Sequence, residues 1–412
     1  VKMFLDDENK RVVERLRALN LSLCKNCLGR LFGKVGRGLD NVQRAALVMS
    51  EHGYECVEPD NCALCGGIFG KLDFYAKSAV ETMNAVEWNS FLVGSKFEEE
   101  VLAKEERIWM STSAQHAEAI KSEFNREVGK KISQLTGKDV DFDEPDCVAI
   151  VDTRFDTINL EIRPLFIYGR YKKYVRGIPQ TRWLCRNCRG KGCKRCNWKG
   201  KMYETSVQEL IAEKVMLATQ GKEHFFHGMG REDIDVRMLG NGRPFILEIR
   251  EPVIRTIDLK KLENEINDFA AGKVSVEKLR IVSGKKVEEI KEEKCRKRYS
   301  ATVEIAGTCT KEMLEKSIND LREKDIYQET PNRVLHRRSD IRRVRHIYDV
   351  HLNWVDGNTA GLEIECAAGT YVKELISGDG GRTRPSLTEI LGIPCRVKEL
   401  DVIWIHDEHT EE

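Results

Sequence analysis

The chain has 412 residues, 41% hydrophobic and 33% charged, which speaks for two or three globular domains of roughly 150 residues each and against a disordered chain. No apolar run approaches the roughly 20 residues that cross a bilayer, and the N-terminus turns acidic at Asp6-Asp7-Glu8 too soon for a secretory signal, so a cytoplasmic protein without membrane contact is expected. The net charge of +1 averages over 68 basic and 67 acidic residues that are unevenly spread.

In chain order, a helix is expected over residues 9–19, with Val12, Val13, Leu16 and Leu19 on one stripe. Two C-x-x-C knuckles follow, Cys24 with Cys27 and Cys62 with Cys65, separated by 34 residues. A two-residue gap lets both thiolates of a knuckle reach one ion, and two knuckles complete a structural four-thiolate zinc site. In a reducing compartment metal is favoured over disulfides. Between Ser113 and Gly137, Ala117, Ile120, Phe124, Val128, Ile132 and Leu135 step by threes and fours, a helix that Gly137 closes. Strands are expected over 147–152 and 158–162, making the first half an α+β unit.

From Arg163 to Lys201 there are thirteen Lys or Arg and no acid, interleaved with Phe166, Tyr168, Tyr171, Tyr174, Trp183 and Trp198. Basic side chains neutralise phosphates and aromatic faces stack on bases, so the stretch reads as a nucleic-acid surface, with Arg170, Lys172, Lys173, Arg176 and Arg182 as candidate contacts. It contains a second knuckle pair, Cys185 with Cys188 and Cys193 with Cys196, around the turn Arg189-Gly190-Lys191-Gly192. This is a second candidate zinc site. The remaining six cysteines read as small buried apolar residues.

Ser206-x-x-Glu209 caps a helix carrying Val207, Leu210, Ile211 and Val215. Strands are expected over 234–239 and 245–249, joined by the turn Gly240-Asn241-Gly242-Arg243-Pro244, then over 299–305, 361–366 and 397–405, with helices around 287–294 and through Met313, Leu314, Ile318 and Leu321. The second half is therefore a mixed α+β domain.

Three segments of that half carry candidate chemistry. Gly230-Arg231-Glu232-Asp233 places a carboxylate beside a guanidinium, which favours the ionised form and suits a nucleophile. Asp235, two residues on, competes for the same role. Lys297-Arg298-Tyr299 offers a large ring at a strand start, and Gly369-Thr370-Tyr371-Val372-Lys373-Glu374-Leu375 could bring Lys373 to a carboxylate. A run of Arg333, Arg337, Arg338, Arg342, Arg343 and Arg345, on a helix or a mobile loop, could grip phosphates.

Gly230-Arg231-Glu232-Asp233, Lys297-x-Tyr299-x-Ala301 and Gly369-Thr370-Tyr371-Val372-Lys373-x-Leu375 resemble the three sequence motifs of pseudouridine synthases. The longer strings around Gly230 and around Tyr168-Gly169-Arg170-Tyr171-Lys172-Lys173-Tyr174 are similar to archaeal tRNA pseudouridine synthases acting on the TΨC arm at positions 54 and 55. Taken with the cysteine spacing, the resemblance divides the chain into a zinc-binding module over residues 1–80, a THUMP-like α+β RNA-binding region over 81–182, a second zinc cluster over 183–203 that pseudouridine chemistry does not require and that is structural or RNA-positioning, and a catalytic domain with a mixed, mostly antiparallel sheet over 204–412. It further implies Asp233 as the nucleophile, Tyr299 stacked on a flipped uridine and assisting proton removal, Lys373 paired with Asp233, and Leu375 and Leu400 as apolar support. Arg231 and Tyr371 join Arg333, Arg337 and Arg338 as substrate contacts. tRNA is the partner, no protein partner is expected, and catalysis needs no organic cofactor. A non-catalytic, zinc-containing tRNA-binding scaffold is the alternative that the basic segment alone would support.

Overall fold

The computed structural model describes residues 7–407, apart from the side chains of Glu8 and Arg337. The expectation for Arg337 therefore lies outside the described residues. The chain divides into two compact units, residues 1–163 with 251–256, and 164–250 with 257–412.

In the first unit a four-stranded sheet runs in the order Asp139–Val140, Ser90–Lys96, Cys147–Asp152, Thr157–Ile162, with the first two pairings parallel and the last antiparallel. The helices Leu72–Met83 and Ile120–Thr136 pack on it through Tyr75, Ala76, Ala79, Phe124, Val128 and Ile132. The second of these helices starts at Ile120, later than the stripe from Ser113 suggested, and ends where Gly137 takes a left-handed φ of 69°. Leu135 faces solvent, because three-residue steps drift off a 3.6-residue face. The N-terminal helix Asp7–Ala18 buries Val12, Val13 and Leu16 as expected. Asn41–His52, which the sequence reading did not include, is set by a capping box in which Asp40 accepts from the Gln43 amide.

A ten-stranded, mostly antiparallel sheet forms the second unit. Its central order is Thr359–Cys366, Lys297–Ile305, Cys395–Ile405, Arg237–Arg250, Leu165–Lys173, Val274–Val282, and its one parallel pairing joins Arg237–Arg250 to Cys395–Ile405 at Asp401 and Val402. Residues 165–173, expected in the RNA-binding region, are an inner strand of this sheet. Leu165, Ile167, Tyr168 and Tyr171 are all buried in its core, so the aromatic content of the segment reflects packing as much as surface chemistry.

The two strands expected on either side of Gly240-Asn241-Gly242-Arg243-Pro244 are one strand, Arg237–Arg250. The glycines serve a bend inside it. Gly240 and Gly242 have φ of 58° and 71°, and a Cβ on Gly240 would stand 1.6 Å from the Ile403 carbonyl oxygen. This lets one strand pair with Cys395–Ile405 at its start and with Leu165–Lys173 afterwards. The arginine run forms a short 3-10 turn, Asn332–Arg337, and then the strand Arg343–Asp356. Among the described residues, no helix is long and apolar enough to cross a membrane.

Because Gly240 combines left-handed backbone with a backbone neighbour that cannot yield, Gly240→Ala should lower stability by about 2–4 kcal/mol. A chemical denaturation midpoint unchanged from wild type would refute the bend.

Candidate active site

Residues 229–236, between the strands Glu223–Gly228 and Arg237–Arg250, form an irregular turn whose carbonyls are held from beneath. Arg243 donates to the Met229 carbonyl at 2.7 Å, Gln180 to Gly230 at 3.0 Å, Lys173 to Asp233 and Ile234 at 3.2 and 3.4 Å, and Arg176 to Asp235 at 2.8 Å. Two of these cations are buried, and Glu232 balances them. Its carboxylate, fully enclosed, accepts from Arg243 Nε at 2.9 Å and from the Tyr171 hydroxyl at 2.8 Å, with Lys173 Nζ at 3.7 Å. With Glu232 turned inward, Asp233 next to it faces the other way.

Asp233 opens into a cavity of about 620 Å³. Arg231, Tyr299, Tyr371, Lys373, Leu400, Arg333 and Arg338 line it as well, so all three motifs converge there. Arg333 donates to Asp233 Oδ2 at 2.8 Å and to Glu374 at 2.7 Å. Lys373, expected to pair with Asp233, forms an ion pair with its Oδ2 at 3.6 Å and also hydrogen-bonds to both Asp235 oxygens at 2.7 and 2.8 Å. The short helix Val372–Ser377 presents it between the two carboxylates. Partial burial pushes the Asp235 carboxyl up, but the Lys373 hydrogen bond, the Lys373 charge and the Arg333 charge together outweigh it and leave the carboxyl below the usual aspartate range. Burial pushes the Tyr299 phenol well above its ordinary value, so it stays neutral. Arg338 donates to the Tyr371 hydroxyl at 2.7 Å.

Several expected substrate contacts lie elsewhere. Arg170 is buried in a bidentate pair with Asp407, 2.9 and 3.0 Å, and Lys173 is buried under the turn, so neither can reach a phosphate. Both sit on the inner strand Leu165–Lys173, where a charge is tolerated only when paired. Lys172 pairs with Glu277 at 3.4 Å. Arg176 spans the Asp235 and Leu400 carbonyls and pairs with Asp401 at 2.7 Å, which makes it a strut. Leu375 is buried in the core and does not line the cavity. Arg182 is exposed, 3.9 Å from Glu209. Glu232, Arg243, Lys297, Arg343 and Arg345 also line the cavity. Nothing in the local sequence marks this buried cluster, since Tyr171, Lys173, Arg243 and the turn bearing Glu232 are brought together by the pairing of Leu165–Lys173 with Arg237–Arg250.

Each knuckle pair closes into one cluster, Cys24, Cys27, Cys62, Cys65 and Cys185, Cys188, Cys193, Cys196, with all four sulfurs within 4.8 Å of one another. Spacings such as 3.8 Å between Cys24 and Cys65 and 3.8 Å between Cys188 and Cys196 are those of a tetrahedron with metal–sulfur bonds of about 2.3 Å. Amides donate to the sulfurs, Gly192 to Cys188 and Gly200 to Cys196, both at 3.2 Å, donors that would orient the sulfurs toward a shared ion. In the first cluster all four cysteines are buried and Arg30 donates to Cys27 at 3.7 Å. Either group could hold a metal ion.

The family model described as "Pus10, C-terminal" matches residues 166–406, and "Pus10 THUMP domain, archaeal" matches 75–152. The chain belongs to the Pus10 family. It is 45% identical over 405 residues to the tRNA pseudouridine synthase Pus10 of Methanothermobacter marburgensis, covering 96% of this chain and 98% of that one. It is 47% identical over 358 residues to its Methanocaldococcus jannaschii namesake, covering 86% and 78%. A solved Cbf5-Nop10-Gar1 complex aligns at 14% identity and a TM-score of 0.31 over 48% of this chain and 45% of that one, too distant a match to add to the Pus10 assignment.

Glu232→Leu would leave Arg243 and Lys173 buried without a counter-charge, so this Pus10 chain should lose about 3–5 kcal/mol of stability. Arg231→Ala, a change at an exposed side chain, should stay within about 0.5 kcal/mol. Equal denaturation midpoints for the two variants would remove Glu232 from the centre of the turn.

Proposed function

We propose that this chain isomerises uridine to pseudouridine in the T arm of tRNA, at position 54, position 55 or both, with Asp233 as the nucleophile. The observation that carries the reading is that Asp233 faces Tyr299 and Lys373 across a single cavity of about 620 Å³, with Arg333 on its carboxylate. That volume falls in the range of roughly 300–1,000 Å³ that encloses a small ligand, enough for one everted nucleotide.

The ionised Asp233 carboxylate forms a bond to C1′ as the N1–C1′ bond breaks, and the electron pair leaves into the uracil ring. The base turns, C5 bonds to C1′, and the carboxylate departs. A proton is lost from C5 and one is gained at N1. Reactant and product are isomers, so neither an oxidant nor an organic cofactor enters the balance. Tyr299, held neutral, supplies a ring face for the base, while Leu400, Val402 and Val236 form the apolar wall. Arg333 and Lys373 set positive charge beside the Asp233 and Asp235 carboxylates. Arg231, Arg338, Arg343 and Arg345 at the cavity and the exposed Arg182 are the proposed phosphate contacts.

Zinc is the ion proposed for both cysteine clusters. Four thiolates leave no open position, so each site is structural and takes no part in the reaction. Purified protein should carry two zinc ions per chain by elemental analysis. Cys185→Ser with Cys188→Ser should carry one, and unchanged metal content would refute the second site.

Unmodified tRNA transcript incubated with protein alone should yield pseudouridine in the T arm, located by carbodiimide mapping. Asp233→Ala should give no product yet retain tRNA binding, whereas Asp235→Ala, outside the cavity, should retain measurable turnover. The reverse pattern would exchange the two aspartates. Silence from folded, metal-loaded protein would favour the scaffold reading.

A further inference from the structure

The reaction proposed above needs a base for the proton on C5, and the cavity offers few. Tyr299 is a neutral phenol that burial makes reluctant to ionise. Asp233 is held by Arg333 at 2.8 Å, and Glu232 lies enclosed beneath the turn. Lys373 is committed to Asp235.

Lys297 differs from all of these. It lies on the strand Lys297–Ile305 two residues before Tyr299, so both side chains share one face and both line the cavity. Among the described residues, no acid pairs with its amine and no acceptor holds it. A Cβ built on Gly230 would stand 3.7 Å from Lys297 Nζ, which places the amine over the turn that carries Asp233. The groups facing it are Arg243 from the strand Arg237–Arg250, which lies beyond Cys395–Ile405 in the sheet, Cys366 across the pairing with Thr359–Cys366, and Cys295 at its own end. None is a carboxylate. Burial, then the Arg243 charge, pull the amine down to about 8, so a useful fraction is neutral near physiological pH.

We infer that Lys297 is the base that takes the C5 proton after C5 has bonded to C1′. The C5–H pair becomes the C5=C6 double bond, the former C6=N1 pair moves to N1, and N1 takes up a proton. The ammonium formed on Lys297 returns its proton to solvent, so the whole step is proton-neutral. The inference rests on the pseudouridine reading of the site.

The test uses full-length protein in single turnover on three tRNA transcripts, carrying uridine, [5-²H]uridine or 5-fluorouridine at the target. Lys297→Met keeps the length of the chain but not the base. It should bind tRNA as wild type does, slow product formation on uridine by about 10²–10⁴-fold, and show a larger deuterium effect than wild type. Fluorine cannot leave C5 as a proton, so cleavage and rejoining of 5-fluorouridine should proceed at the wild-type rate. The wild-type rate on uridine should rise with pH through about 8 and the Lys297→Met rate should not. Wild-type turnover by Lys297→Met, or equal slowing on 5-fluorouridine, would overturn the assignment. Failure of the wild type on uridine would instead sink the pseudouridine reading itself, and this inference with it.

Discussion

The site depends on one buried carboxylate. Glu232 neutralises Arg243 and Lys173 beneath the turn, and those two cations hold the carbonyls of Met229, Asp233 and Ile234. Neither cation could stay in the sheet without the acid, because an unpaired buried charge costs several kcal/mol. Without the cations, the turn would keep only Gln180 and Arg176 as side-chain supports for its carbonyls. A carboxylate that acts as a nucleophile has to be fixed in position before substrate arrives, and this network fixes the turn from beneath.

Charge is arranged in layers around that turn. Below lie paired, enclosed cations. At the level of Asp233, Arg333 and Lys373 bridge three carboxylates, Asp233, Asp235 and Glu374, so the local charge stays near balance while Asp233 remains partly exposed. Around the mouth stand Arg231, Arg338, Arg343 and Arg345, in the place where a polyanion would be gripped. The same residue type thus has two opposite roles, and burial separates them: Arg170 is buried in a pair with Asp407, Arg338 is exposed and lines the cavity.

The cysteine clusters divide along similar lines. The first, with all four thiols buried and Arg30 against Cys27, belongs to the core of its unit. In the second only Cys185 is buried, and Arg186, Arg189, Lys191, Lys194 and Arg195 around it are exposed beside Trp198, which is 70% exposed. A small knuckle with little core of its own is the kind of element that a bound ion would hold in shape.

Features that depend on neighbours in the chain were legible in the sequence. The C-x-x-C pairs, the Ser206 cap and its helix, the 147–152 strand and the Gly137 helix stop all follow from spacing within a few residues. So did the motifs that met in one cavity, because each is a local string. Which way a charged side chain points was not legible. Arg170 and Lys173 look the same in the sequence as the exposed cations that follow them, and only the pairing of Leu165–Lys173 between two other strands turns them inward. The Gly240–Pro244 string shows the same limit: its composition specifies a sharp change of direction, but whether that ends a strand or bends one depends on the Ile403 backbone, 163 positions away. Local chemistry determined which groups this protein carries, and long-range pairing decided which of them meet, since burial and partnership belong to the assembled sheet and to no single segment.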